Sequence, residues 1–169
     1  MENTQNNWKE GKSMDISKIP NTYDALILKT HKQYNLSFDW HYTKAQMFRE
    51  SSMKPDAISP SNAKGLLQLK DVAAFEVQQR YGVFMGDLLD PEYNIQAGVL
   101  YMKWLYDTIE GGLKHDKKKD PYIELALSAY YSGIGTLKKA GFRLSGMPSK
   151  AQEYVHDIGK LYIALGGKS

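Results

Sequence analysis

A carboxylic acid that closes an apolar stretch of helix can do proton chemistry if the fold hides it from water. Glu50 stands in such a place, in the run Phe48-Arg49-Glu50-Ser51-Ser52 with Met47 just before it. Desolvation disfavours a carboxylate, raises its pKa and keeps a proton available near neutral pH. A proton held in that way suits a general acid that protonates a glycosidic oxygen. The same residue read plainly is a solvated helix end, or a partner for the neighbouring Arg49.

Two later segments carry groups that would serve such an acid. Gly65-Leu66-Leu67-Gln68 sets a glycine, which permits a tight turn or a close backbone approach, three positions before an amide that can hydrogen-bond a sugar. Ala129-Tyr130-Tyr131 is followed by Ser132-Gly133-Ile134-Gly135. A tyrosine hydroxyl there can orient a carboxylic acid, and the glycines let the chain pass close to a substrate. Alone, the first segment reads better as a loop-to-helix junction with an exposed Gln. The second, alone, is a weak signal that also reads as a core aromatic before a helix stop; their order and spacing give them force.

Helices must position these groups. Asn21 can cap a first helix that holds Ala25, Leu26, Ile27, Leu28 and Tyr34. A second runs from near Asp39 to Ser51, turns Trp40, Ala45, Met47 and Phe48 largely inward, and carries Glu50 in its last turn. Residues 52–64, with Pro55, Pro60, Asn62 and several serines, form a loop. Helical periodicity resumes over Leu66–Tyr81, and Asp90-Pro91 starts a helix that Gly111 and Gly112 end. Lys114-His115-Asp116-Lys117-Lys118-Lys119 reads as a solvated loop. Asp120-Pro121 repeats the start signal, and Ser149 with Gln152 has capping-box spacing for a last helix. No period-two alternation stands out, so the fold class is mostly α. Residues 1–18 are polar and read as a flexible arm, with one catalytic domain over 19–169.

Composition narrows the function. A chain of 169 residues, 42% apolar and 24% charged, makes one soluble domain with a proper core. No run approaches a membrane span, and the first residues lack the apolar core of a secretory signal. There are no cysteines, and four scattered histidines lack metal-ligand spacing, so no metal and no cofactor is expected. The net charge of +3 suits a polyanionic surface such as a cell wall without requiring one.

Together the segments resemble the soluble lytic transglycosylase family, whose fold is related to goose-type lysozyme. The family pattern runs Glu-Ser, a Ser nine residues after the Glu, Gly-Leu-Met-Gln, Asn-Ile-x-x-Gly-x-x-Tyr-Leu, Ala-Tyr-Asn-x-Gly and a closing Tyr-Val helix. Glu50-Ser51, Ser59, Gly65-Leu66-Leu67-Gln68, Asn94-Ile95-Gln96-Ala97-Gly98-Val99-Leu100-Tyr101-Met102, Ala129-Tyr130 and Tyr154-Val155 follow it in order over roughly residues 35–160.

The resemblance implies a single lysozyme-like helical domain with a substrate cleft. It implies cleavage of the β-1,4 bond between N-acetylmuramic acid and N-acetylglucosamine in peptidoglycan, with 1,6-anhydro ends formed by one Glu acting as acid and then base. By transfer Glu50 is that group, and Tyr130 orients it by a hydrogen bond. Ser59, Gly65, Leu67, Gln68 and Tyr131 contact the glycan strand. The sequence departs from the pattern at Tyr131, where the family has Asn, at Lys150, where it often has Glu, and at Leu67, where it has Met. An enzyme of this fold that hydrolyses the bond with water, using Asp56, Asp87, Asp90 or Glu92 as second carboxylate, is the first alternative. A non-catalytic wall-binding or assembly protein is the second. The expected setting is a monomeric phage lysis enzyme with no nucleic-acid partner and no stable membrane insertion. It would be made in the cytoplasm and act on the periplasmic wall, released by a holin or delivered by a particle or secretion machine.

Overall fold

The computed structural model describes residues 16–83, 86–113 and 120–168. Its helices are α1 (Asp24–Gln33), α2 (Trp40–Ser51), α3 (Asp71–Tyr81), α4 (Pro91–Leu113), α5 (Tyr122–Ser132), α6 (Ile134–Lys139) and α7 (Ser149–Ala164). Short 3-10 turns cover Ile16–Lys18 and Leu144–Gly146. Among the described residues no β-strand forms beyond two isolated bridges, Ile58 with Lys64 and Lys64 with Leu69, so the fold is mostly α as expected.

α4 is the central strut. Its 23 residues bury Ile95, Ala97, Val99, Leu100, Met102, Leu105 and Ile109, and α1, α3 and α5 pack on it. α7 lies across α2 and α5 and contributes Tyr154, Val155, Ile158 and Leu161 to the same core. This α2–α7–α5 contact matters most for function, because α2 and α5 end beside each other at the site described below. No helix of the described residues is long and apolar enough to cross a membrane.

Several boundaries differ from the sequence reading for local reasons. Asn21 does not cap α1; its Oδ1 accepts from Lys44 Nζ at 2.6 Å, and Tyr23 takes the cap position. Residues 66–69 are not helical. Gly65 and Gln68 adopt left-handed φ of 74° and 48°, and Lys64 and Leu69 exchange backbone hydrogen bonds at 2.8 and 3.0 Å. α4 runs through Gly111 and Gly112 to Leu113, whose side chain is buried. Ser149 is already helical, so the capping box is out of register, and the Gln152 amide donates to Met147 O at 2.8 Å instead. A short α6 follows Gly133, where the sequence suggests only a stop. The Lys114–Lys119 loop and most of the proposed arm lie outside the described residues.

Candidate active site

α2 ends just past Glu50. Asp39 caps its start by accepting from His41 N at 3.0 Å. At the other end Ser52 and Met53 both turn left-handed, with φ of 53° and 65°. Two consecutive non-glycine residues in that region cost about 1–2 kcal/mol each, and Met53 offsets part of this by burying its side chain. Glu50 is thereby held in the last turn, near the negative end of the helix dipole, which further disfavours a carboxylate.

The carboxyl faces Tyr154 of α7, whose hydroxyl donates to Glu50 Oε1 at 2.6 Å. Tyr154 is 1% exposed and receives a hydrogen bond from Gln46 Nε2 at 3.1 Å. Glu50 itself is half-buried. Burial pushes its pKa from 4.5 up to about 7, against the opposing pull of the Tyr154 hydrogen bond and the Arg49 charge. No second carboxylate is among the causes of that shift. Arg49 is not Glu50's ion-pair partner, because its Nε reaches Asp157 Oδ2 at 3.0 Å and its guanidinium lies 5.7 Å from the Tyr154 ring centre.

Tyr130, expected to orient Glu50, does something else. Its hydroxyl donates to Leu67 O at 2.7 Å and so ties the end of α5 to the Gly65–Leu69 loop. It still stands close enough for the Glu50 charge to help burial hold its pKa well above the ordinary tyrosine value. A hydroxyl has one proton, and here the backbone carbonyl takes it. The orienting bond comes from Tyr154, which the sequence marks only as the closing Tyr of the pattern. Tyr131 follows at the last turn of α5, 46% exposed, its ring centre 4.9 Å from that of Tyr154.

The loop is braced from below by α4. Asn94, 0% exposed, accepts from Leu67 N at 2.8 Å and donates to Lys64 O at 2.9 Å and Leu88 O at 2.8 Å. A Cβ on Gly65 would lie 2.3 Å from Asn94 Nδ2 and from Leu88 O, so only glycine fits there. One turn along α4, a Cβ on Gly98 would meet Leu67 Cδ1 at 2.4 Å. The spacing Asn94-x-x-x-Gly98 is therefore a cradle, a role the sequence reading does not assign to it.

The remaining expected contacts divide accordingly. Leu67 is 1% exposed and packs on Gly98, so its side chain is core rather than a sugar contact. Gly65 is likewise buried beneath the loop. The Gln68 amide donates to Ala57 O and Gly65 O at 3.1 and 3.0 Å, so its nitrogen is spent on the loop's own backbone. Ser59 Oγ accepts from Ala63 N at 3.0 Å and shapes the turn at Asn62. Of the candidate second carboxylates, Asp87 and Asp90 accept from Leu89 N and Tyr93 N, and Glu92 pairs with Lys29. Asp56 is exposed. Two surface hollows, about 210 Å³ between α1 and α4 and about 530 Å³ along α7, are not lined by Glu50.

The transglycosylase SLT domain family matches this chain over residues 26–152. The chain belongs to that family. The membrane-bound lytic murein transglycosylase F of Pasteurella multocida is 32% identical over 109 residues, covering 64% of this chain and 20% of that protein. Its counterpart in Serratia proteamaculans is 31% identical over 125 residues, covering 74% and 23%. This SLT-domain chain thus spans about a fifth of the length of such relatives. The crystal structure of the 70 kDa soluble lytic transglycosylase from Escherichia coli superposes with a TM-score of 0.72 at 21% identity, over 90% of this chain and 26% of that one. An inactive Glu-to-Gln mutant of the lytic transglycosylase Slt from Pseudomonas aeruginosa gives 0.71 at 20% identity, over 89% and 25%. The lysozyme-like helical fold expected from the sequence is the one these SLT-domain proteins share.

Proposed function

We propose that this SLT domain cleaves the β-1,4 bond between N-acetylmuramic acid and N-acetylglucosamine in peptidoglycan and leaves 1,6-anhydromuramoyl ends. One observation carries the reading: a half-buried Glu50, raised to about 7 and hydrogen-bonded by Tyr154, in a family of transglycosylases. Near neutral pH such a group exists in both protonation states in comparable amounts, as a residue that must first give and then take a proton requires.

In the first step Glu50 gives its proton to the glycosidic oxygen as the bond from that oxygen to C1 breaks, so the leaving sugar departs as an alcohol. In the second, the Glu50 carboxylate takes the proton of the C6 hydroxyl while O6 bonds to C1. Glu50 ends protonated as it began, and no water is consumed. A second carboxylate is unnecessary in this scheme. The exposed ring of Tyr131 offers a face for a sugar ring, and the Gln68 carbonyl and the Ser59 turn line the strand's path.

The experiment is mass spectrometry of products from purified peptidoglycan incubated with wild type and Glu50→Gln. Anhydromuropeptides released by wild type alone support the reading. Reducing-end products would turn it to hydrolysis, and no products would leave a wall-binding role.

The biological setting we propose is lysis by a monomeric phage enzyme made in the cytoplasm and acting on the periplasmic wall after holin release or delivery by a particle or secretion machine. The mild positive charge favours approach to a polyanionic wall. Added from outside, the protein is expected to lyse Gram-negative cells only after outer-membrane permeabilisation; equal rates on intact cells would refute that part.

A further inference from the structure

Gln46 sits one turn before Glu50 on the same face of α2, 2% exposed, between Ala45 and Met47, which are wholly buried. A core-facing helix position of this kind is ordinarily apolar, since burying an amide is unfavourable unless it is bonded. The amide reaches one group of evident chemical consequence, the Tyr154 hydroxyl, and that hydroxyl reaches Glu50. The two bonds form a chain, Gln46 Nε2 to Tyr154 Oη to Glu50 Oε1.

The chain has a direction. An amide NH₂ only donates, so it occupies a lone pair of the tyrosine oxygen and cannot receive its proton. The single hydroxyl proton then has one destination, Glu50 Oε1. Turning the amide over would offer its oxygen to the tyrosine proton and let protonated Glu50 donate to the hydroxyl instead, the reversed relay that the titration below distinguishes. A hydroxyl that receives a bond also donates more strongly.

Resting on the reading of Glu50 as the acid, we propose that Gln46 is a positioning residue: by donating to Tyr154 it commits the tyrosine proton to Oε1, so that the proton transferred to substrate is carried by Oε2. Without Gln46 the relay can reverse, with protonated Glu50 donating to Tyr154, and the reactive proton is then drawn toward the buried tyrosine and away from the leaving oxygen. The groups that bear on Glu50 are Arg49 of α2, itself paired with Asp157 of α7, Tyr154 of α7 and Tyr130 of α5. Gln46→Met leaves all of these side chains in place, whereas Gln46→Glu adds a carboxylate beside Tyr154 whose charge raises Glu50 by itself.

The test is a carbon-13 NMR titration of the Glu50 carboxyl in wild type, Gln46→Met and Gln46→Glu, alongside anhydromuropeptide release across pH. Gln46→Met keeps the shape and removes the donor. Gln46→Glu keeps the shape and, once ionised, accepts the tyrosine proton and reverses the relay. The Glu50 midpoint is expected to rise by roughly half to one pH unit in the first variant and further in the second. In both, kcat should fall on the order of tenfold with KM unchanged. An unchanged midpoint in Gln46→Met would overturn the proposal, even if the rate fell, because a purely structural glutamine would cost rate without moving the titration in this neutral variant. The Gln46→Glu shift must exceed it but carries the new charge as well. Should Gln46→Met fail to fold, Gln46→Leu, which also lacks the donor and adds no charge, decides. If wild type releases no anhydro ends, the enzymatic reading falls, and the titration still decides whether Gln46 sets the relay.

Discussion

Replacing Glu50 by Gln should make the protein more stable, and only above a certain pH. The folded state holds this carboxyl near 7, whereas the unfolded chain releases it to its ordinary 4.5. Below about 4.5 both states are protonated and burial carries no ionic penalty. As pH rises from 4.5 through 7 the unfolded state gives up its proton first, so folding stability falls, by about 3 kcal/mol once both states are ionised. The substituted amide would keep an acceptor for the Tyr154 hydroxyl, which now lies 2.6 Å from the carboxyl, and would remove the titration. For a chain of 169 residues this corresponds to a rise in melting temperature of roughly 6–12 °C at pH 8, shrinking to near zero at pH 4. Differential scanning calorimetry of both proteins at the two pH values measures it. An equal offset at pH 4 and pH 8, or a mutant less stable than wild type at pH 8, would refute the claim that Glu50 is a desolvated acid.

Tyr154→Phe and Tyr130→Phe should separate the two tyrosines. The first removes the bond to Oε1 and orphans the Gln46 amide. It should raise the alkaline limb of the pH–rate profile by about one to two pH units, from a charge-assisted bond of about 1.5–3 kcal/mol. The second loosens the loop at Leu67 and should lower kcat several-fold with that limb unmoved; the reverse pattern would restore Tyr130 as the orienting group. Asn94→Ala leaves the Leu67 amide and two carbonyls without their partner and should destabilise by on the order of 3 kcal/mol. Chemical denaturation checks it, and a loss under about 1 kcal/mol would mean the loop re-satisfies itself.

The helices were legible where apolar periodicity and start signals coincided. α2 begins after Asp39 and ends past Glu50 as the sequence suggests, and Asp90-Pro91 opens α4. Boundaries failed where a long-range partner intervened. Asn21 answers Lys44 rather than its own helix, whereas α4 closes within a residue of the expected Gly112. At the site, apolar neighbours and above all the family pattern singled out Glu50, but its hydrogen-bond partner was not legible. Buried Tyr154 and half-buried Tyr130 both stand near Glu50, and only the packing of α7 on α2 decides which hydroxyl reaches the acid. Gln46 gave one usable signal, a polar residue between the apolar Ala45 and Met47, four positions before Glu50. The Asn94–Gly98 pair was visible as a motif, yet its purpose appears only when the missing Cβ atoms are measured against the loop.

The Asn94 cradle divides the segment between α2 and α3 into two parts with different freedoms. From Lys64 to Leu69 the backbone is fastened to the central helix and cannot shift without disturbing the core. From Ser59 to Asn62 it is a surface turn held mainly to itself, through Ala63 and Ser61. Variation in length or charge is therefore tolerated at the tip and not at the base. A residue inserted or a charge added at the tip leaves the backbone beside Tyr130 in place, whereas the same change at the base would reach the central helix.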